Sequence, residues 1–399
     1  MYIGIITLYD NGNIGASLQA YALNYVIRSL GHECENIRYI RKVNGKTDSA
    51  NSFKSRINLL LSKEGRKKFA AKLWGHIILR GKIKKRNKRI HEFSKEKIPQ
   101  TIKSYYGVEE LENEVFNYDC FICGSDNIWQ KKRFDPAFFL SFVPDDKTKF
   151  SYAAGFSANT LKDEEVRKYI PLIERLDAIS VREIFGADTL KKYTNRRIYQ
   201  HVDPTLLLRR EEWDEIRNFG CDVPPRYIFC YILGEESEPR GFAKWLSKKK
   251  NIPIVSLPHA TSIQGKDFKF ADYEKYDAGP AEFLNLVANA AYVITDSFHG
   301  CIFSSIYHKQ FLAFRRFKNS DSSELDLRLE GLFYSLKMKS RIPVGSDEDA
   351  YSLLQEAIDY EKVDYEIDQL KDSSMSYLKR MILKGENNED NSNYANKAE

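Results

Sequence analysis

The chain has 399 residues, of which 42% are hydrophobic and 13% aromatic. That is too apolar for a disordered chain and too long for one compact core, so two α/β units with extensions are expected. The net charge is only +6, no apolar run is long enough to cross a bilayer, and no nucleic-acid-binding module accompanies the charge, so nucleic acid is not an expected partner.

Met1 to Ile6 lacks the basic start and small-residue cleavage site of a leader and reads as a first strand over 2–8, so a cytoplasmic location is expected. A polar loop, Tyr9 to Ile14, leads into a helix over 15–30, where Leu18, Tyr21, Ala22, Tyr25 and Val26 recur at three-four spacing; Gly31 stops it before a strand over 34–40. This βαβ unit opens its loop at the carboxyl end of the first strand, where open α/β sheets bind ligands, so Asn13 and Gly15 are candidate lining residues.

A basic insertion over about 41–100 follows. Between Lys63 and Lys97 the acids are Glu64, Glu92 and Glu96, and Phe69, Leu73, Trp74, Ile77 and Ile78 form an apolar stripe. It reads either as a solvated basic hairpin making an excursion from the sheet or as a peripheral contact with an anionic membrane.

Strands return at 120–123, 150–154 and 178–181, with a helix over 163–176, and Pro204 marks a junction. A second α/β unit has strands over 227–233, 252–257, 292–295 and 310–314 and helices over 281–291 and 301–307. The expected units are 1–205, 206–384 and a disordered tail over 385–399. The cysteines, Cys120 and Cys123 among them, lie mostly within strand-like runs and read as reduced, buried thiols. No ligand set points to a metal, and no cofactor is expected.

Polar turns follow several of these strands. Asp296, Ser297, His299 and Gly300 open the helix after strand 292–295, where unpaired N–H groups favour an anion and Gly lets phosphate approach the backbone; His299 reads equally as a helix cap and Asp296 as a turn former. Arg182, just beyond strand 178–181, can grip a carboxylate or phosphate, or pair with Glu183. Ser125 and Asp126 follow strand 120–123, and Asp126 serves either as a general base or as a cap.

The ordered set Asn13-Ile14-Gly15-Ala16, Gly124-Ser125-Asp126-Asn127-Ile128-Trp129, Ser180-Val181-Arg182-Glu183, Asp203-Pro204-Thr205 and Thr295-Asp296-Ser297-Phe298-His299-Gly300 resembles the polysaccharide pyruvyl transferase family. The resemblance implies a GT-B-like fold, two Rossmann-like domains with parallel sheets facing across a cleft. It also implies phosphoenolpyruvate as donor and a sugar or lipid-linked oligosaccharide as acceptor. Arg182 and His299 match the family's donor-binding arginine and histidine. Many members carry an arginine two residues before that histidine where this chain has Ser297, and Arg315, Arg316 or Arg328 are candidates to replace it. The competing expectations are a GT-B glycosyltransferase using a nucleotide sugar and a non-catalytic sugar-binding or assembly protein on the same fold.

Overall fold

The computed structural model describes residues 1–10, 12–43, 46–47, 63–131, 134–156, 163–220, 222–259, 266–316 and 323–395, without the side chains of 43, 46–47, 63–78, 323–326 and 386–395. The apolar stripe expected from Phe69 to Ile78 lies outside the described side chains.

In the first half, β1 (Tyr2–Ile6), β2 (Glu33–Ile40), β3 (Gln100–Tyr106), β4 (Cys120–Cys123) and β5 (Thr148–Ser151) form a parallel sheet in the order β3-β2-β1-β4-β5. Bridges from Phe150 to Ala178 and from Ala154 to Val181 extend it towards the parallel pair β6 (Ile179–Val181) and β7 (Ile198–Gln200). The second half repeats the plan with β8 (Ile228–Tyr231), β9 (Ile254–Ser256), β10 (Tyr273–Glu274), β11 (Tyr292–Thr295) and β12 (Phe311–Ala313), parallel in the order β10-β9-β8-β11-β12. Central strands such as β4 and β8 are buried at every position, because helices cover both faces, and so they read as unbroken apolar runs. Each order reverses once, between β1 and β4 and between β8 and β11. Crevices open beyond the carboxyl ends of those pairs.

Five helices matter here: α1 (Ile14–Ser29) after β1, α2 (Lys63–Lys97) before β3, α3 (Phe298–Ile306) after β11, α4 (Ser323–Ser335) after β12, and the final α5 (Tyr360–Ala395). No helix among the described residues is long and apolar enough to cross a membrane. One apolar cluster runs through both halves, from Ile3 and Leu18 to Phe229 and Phe303. Trp213 joins them, its ring 5.7 Å from that of Tyr21 in α1 and 5.0 Å from that of Phe303 in α3.

One expectation needs correction. The basic segment is no excursion: α2 clamps the two halves together. Phe93 packs tilted against Tyr21 at 5.8 Å on one side. On the other, Leu79 packs on Tyr276, Arg86 donates to the Pro258 carbonyl at 2.5 Å, and Arg89 pairs with Asp277 at 3.3 Å and Glu282 at 3.4 Å. Part of the positive charge that reads as a surface for anions is therefore spent inside the protein. Gly385 lies inside α5, where it packs against Met1 and Cys120. Helix α5 leaves the second half, where the Tyr360 hydroxyl donates to the Lys309 carbonyl, and reaches the first sheet. There Tyr377 donates to the Ser151 carbonyl at 2.8 Å and packs on His201 at 4.4 Å.

Candidate active site

Both reversal points are built from side chains that stitch loops to strands. In the first half Asn13 caps α1, its side chain accepting from the Gly15 N–H at 3.0 Å. One turn on, the Gln19 amide donates to Thr7 Oγ1 at 3.1 Å and to the Leu8 carbonyl at 3.0 Å, and its Oε1 accepts from the Ser125 N–H at 3.3 Å. The loops after β1 and β4 are thereby locked to one buried amide. Ser125 donates to the Ala153 carbonyl at 2.8 Å. Asp126 follows in the left-handed region, with φ of 51°, and is buried.

In the second half Asp296 accepts from the Leu233 and Gly234 N–H groups at 2.7 and 2.6 Å and lies 3.6 Å from Arg316. Its carboxylate braces the loop after β8 and orients an arginine, which fits the turn-forming reading of this residue. Ser297 is the N-cap of α3, accepting from the Gly300 N–H at 3.3 Å. A Cβ on Gly300 would overlap the Thr295 hydroxyl, so a glycine is needed there for the helix to pack on the strand.

The two halves meet at Asp203. Its Oδ2 lies 2.9 Å from Arg182 Nη1, 3.5 Å from His299 Nε2 and 3.5 Å from Ser125 Oγ, while Oδ1 accepts from Thr205 Oγ1 at 2.7 Å. Burial by itself would raise this carboxyl, but the charges of His299 and Arg182 and the Thr205 hydroxyl outweigh it and hold it well below the usual carboxylate range. Arg182 is almost fully engaged: it also binds Glu183 at 2.8 Å and Asn127 Oδ1 at 2.9 Å. The guanidinium organises three acceptors of its own protein, Glu183 among them as the pairing reading has it. Its Cζ stands 4.7 Å from the Phe298 ring centroid, which ties it to the first turn of α3.

His299 also touches the other half directly. A Cβ on Gly15 would overlap its imidazole Nδ1, so the two motifs farthest apart in sequence are in van der Waals contact. Gly15→Ala is expected to destabilise the chain by about 1–3 kcal/mol through this overlap, read by urea unfolding. Adding His299→Ala to it recovers most of the loss, because the added methyl then has room.

Beside this junction lies a cleft of about 840 Å³ between the halves. Asn13, Arg38, Arg41, Arg86, His259 and Arg316 line it, against one acid, Asp10, which is paired with His91 at 2.8 Å. Burial, with the charges of Arg86 and Arg316, pushes His259 down to about 4. A smaller cavity of about 50 Å³ adjoins Arg182, Asp203, Phe298 and Arg328. Arg315 is exposed, whereas its neighbour Arg316 lines the cleft. The Nε groups of Arg86, Arg316 and Arg328 are buried without a hydrogen-bond partner. Sequence reasoning missed Asp203 as the hub, reading it as part of a domain junction; the signal was an Asp-Pro pair directly after a strand. It also missed Arg86 and His259, which carry no local motif.

The sequence model of the family described as polysaccharide pyruvyl transferase matches residues 13–317. No curated protein matches the chain. Among solved structures, UDP-GlcNAc 2-epimerase from Neisseria meningitidis, bound to UDP-GlcNAc, superposes with a TM-score of 0.50 at 11% identity, covering 96% of this chain and 100% of that one. A UDP-N-acetylglucosamine 2-epimerase, described as putative, from Listeria monocytogenes does so with a TM-score of 0.50 at 10% identity, covering 93% and 90%. At such identities the likeness speaks to fold alone, and it bears out the GT-B-like arrangement of two Rossmann-like halves.

Proposed function

Because the chain belongs to the polysaccharide pyruvyl transferase family, we propose that it transfers a pyruvyl group from phosphoenolpyruvate to two hydroxyls of a sugar, forming a ketal and releasing phosphate. The observation that carries this reading is the cationic junction at the first turn of α3: a helix N-terminus, Arg316 and Arg328 with unsatisfied N–H groups, and His299 held between Asp203 and Gly15. A small donor with three negative charges suits such a place. The adjoining cleft is far larger than the donor needs, leaving room for a sugar acceptor.

In the proposed reaction His299 delivers a proton to the methylene carbon, and one sugar hydroxyl adds to the neighbouring carbon. A second hydroxyl then adds there as the bond to the phosphate oxygen breaks, its electron pair leaving with phosphate. Of the two hydroxyl protons, one is accounted for by the new methyl group and the other by the departing phosphate. Asp203 orients His299, and Arg182 fixes Asp203. Arg316, which donates to the Asp296 carbonyl at 2.9 Å, meets the donor carboxylate from the cleft wall. Asp126, within electrostatic reach of Arg182 and Arg328, takes the acceptor proton.

Thermal unfolding with candidate donors tests the reading. Phosphoenolpyruvate at a hundred times its dissociation constant stabilises by about 2.7 kcal/mol, whereas nucleotide sugars leave the melt unchanged. Protection by a nucleotide sugar and none by phosphoenolpyruvate overturns it.

A further inference from the structure

Asp203, on which His299 and Arg182 converge, stands in a stretch with no regular structure of its own. Strand β7 ends at Gln200, and residues 201–203 are held from outside. The His201 N–H donates to the Val181 carbonyl at 3.0 Å, and its ring Nδ1 lies 2.8 Å from Ser180 Oγ. The Val202 carbonyl accepts from the Tyr152 hydroxyl at 3.1 Å, while the Val202 N–H donates to Ser374 Oγ at 3.4 Å. The last of these tethers comes from α5, the others from the first half.

One turn beyond Ser374, Tyr377 fixes the helix in place. Its ring fits among those of Phe150, Tyr152, Tyr199 and His201, with centroids 5.9, 6.5, 5.1 and 4.4 Å away, and its hydroxyl donates to the Ser151 carbonyl at 2.8 Å. Ser374 and Tyr377 are buried, as are Tyr152 and His201. In so close-packed a place the tyrosine ring and the His201 ring cannot move independently. Leu370 and Ser373 of the same helix line the small cavity together with Asp203. Yet α5 lies beyond the residues matched by the family, and none of the described residues lining the large cleft belongs to it. It can influence chemistry in the cleft only through what it holds. We propose that α5 sets the position of the reacting pair: Ser374 and Tyr377 are positioning residues that hold 201–203 so that the Asp203 carboxylate meets His299. The assignment rests on the reading that His299 delivers the proton to phosphoenolpyruvate. A displacement of about 1 Å at such a point costs up to about a hundredfold in rate.

Steady-state kinetics and imidazole nitrogen NMR of the full chain test this, each protein held well below its melting temperature. The proteins are wild type, Ser374→Ala, Tyr377→Leu and Tyr377→Phe, with His299→Gln to assign the ring signals. Per folded molecule, Tyr377→Leu should lose about tenfold to a hundredfold in kcat with little change in the KM for phosphoenolpyruvate. Ser374→Ala should lose less, and Tyr377→Phe, which keeps the ring, should recover most of the rate. In the ligand-free protein the His299 signals should move in Tyr377→Leu and stay in Tyr377→Phe. Adding Tyr377→Leu to His299→Gln should cost little beyond His299→Gln alone, because the helix acts through that imidazole. A kcat per folded molecule equal to wild type in both Tyr377→Leu and Ser374→Ala overturns the proposal, as does a loss that multiplies in full with that of His299→Gln. Wild type that does not turn over phosphoenolpyruvate, with His299 signals that still move in Tyr377→Leu, sinks the donor reading and leaves the role of α5 standing. Signals that stay put in Tyr377→Leu overturn that role.

Discussion

Arg182→Met is expected to lower the unfolding free energy by about 3–5 kcal/mol, the usual result of removing one partner from a buried charge cluster. The guanidinium faces two carboxylates, Asp203 and Glu183, each buried and each within 2.9 Å of it. Deleting it strands both. Methionine fills much of the volume, so the loss reports charge more than packing. Asp203 adds a pH signature. Its carboxyl is held below the ordinary range in the folded state, so the stability it contributes is present above the unfolded carboxylate value of about 3.9 and is lost as pH falls through the folded one. Arg182→Met should raise the folded value and flatten that acid-side slope. Combining it with Glu183→Gln and Asp203→Asn should recover part of the loss, since no uncompensated charge then remains. Guanidinium unfolding of the three proteins at several pH values makes the comparison, and an Arg182→Met chain as stable as wild type shows that this cluster does not hold the junction together.

His299→Ala is expected to reduce phosphate release from phosphoenolpyruvate, measured with acceptor present, by about 10²–10⁴-fold. The far-UV circular dichroism should be unchanged. The side chain stands between Asp203 and Gly15 in the first turn of α3, where a proton donor would meet a ligand bound at the helix N-terminus. Because the ring also fills space against Gly15, a second variant is needed to separate proton transfer from packing. His299→Gln keeps bulk and a hydrogen-bonding head and should lose as much turnover as the alanine variant, the deficit appearing in kcat more than in KM. Turnover near wild type in His299→Gln removes the general-acid role, and near-normal turnover in both variants removes His299 from the reaction.

The strands expected over 2–314 are all present within a few residues, because β1, β4, β8 and β11 are covered on both faces and announce themselves as apolar runs ending in Gly, Asp or Ser. β3 escaped notice for the opposite physical reason. It is an edge strand whose Ile102 is 99% exposed and whose neighbours are polar, so its composition resembles a loop. The path of α5 was equally hidden, since which sheet a helix packs on depends on tertiary contacts such as Tyr377 to Ser151 and not on local pattern.

At the site, the motifs mark the turns after the strands, but what their side chains hold depends on contacts with other elements. Asp296, Ser297 and Gly300 fall where a ligand-binding turn was expected, yet each is used by the backbone around it. Arg182 and His299 do come together, on the carboxylate of Asp203, which is 21 residues along the chain from Arg182 and farther still from His299 and is brought to both only by the fold. Arg86, His259 and Arg328 reach the cleft or its annexe from α2, the loop after β9 and α4. Charge at a site assembled from distant elements leaves no spacing to read.

The most direct measurement is mass spectrometry of a sugar acceptor panel, lipid-linked and free, incubated with purified protein and phosphoenolpyruvate, with phosphate assayed in the same tubes. The expected result is one acceptor class gaining a pyruvate ketal in step with phosphate released, with neither change when His299→Gln replaces wild type. Glycosyl transfer from a nucleotide sugar by the same protein, with phosphoenolpyruvate left intact, contradicts it.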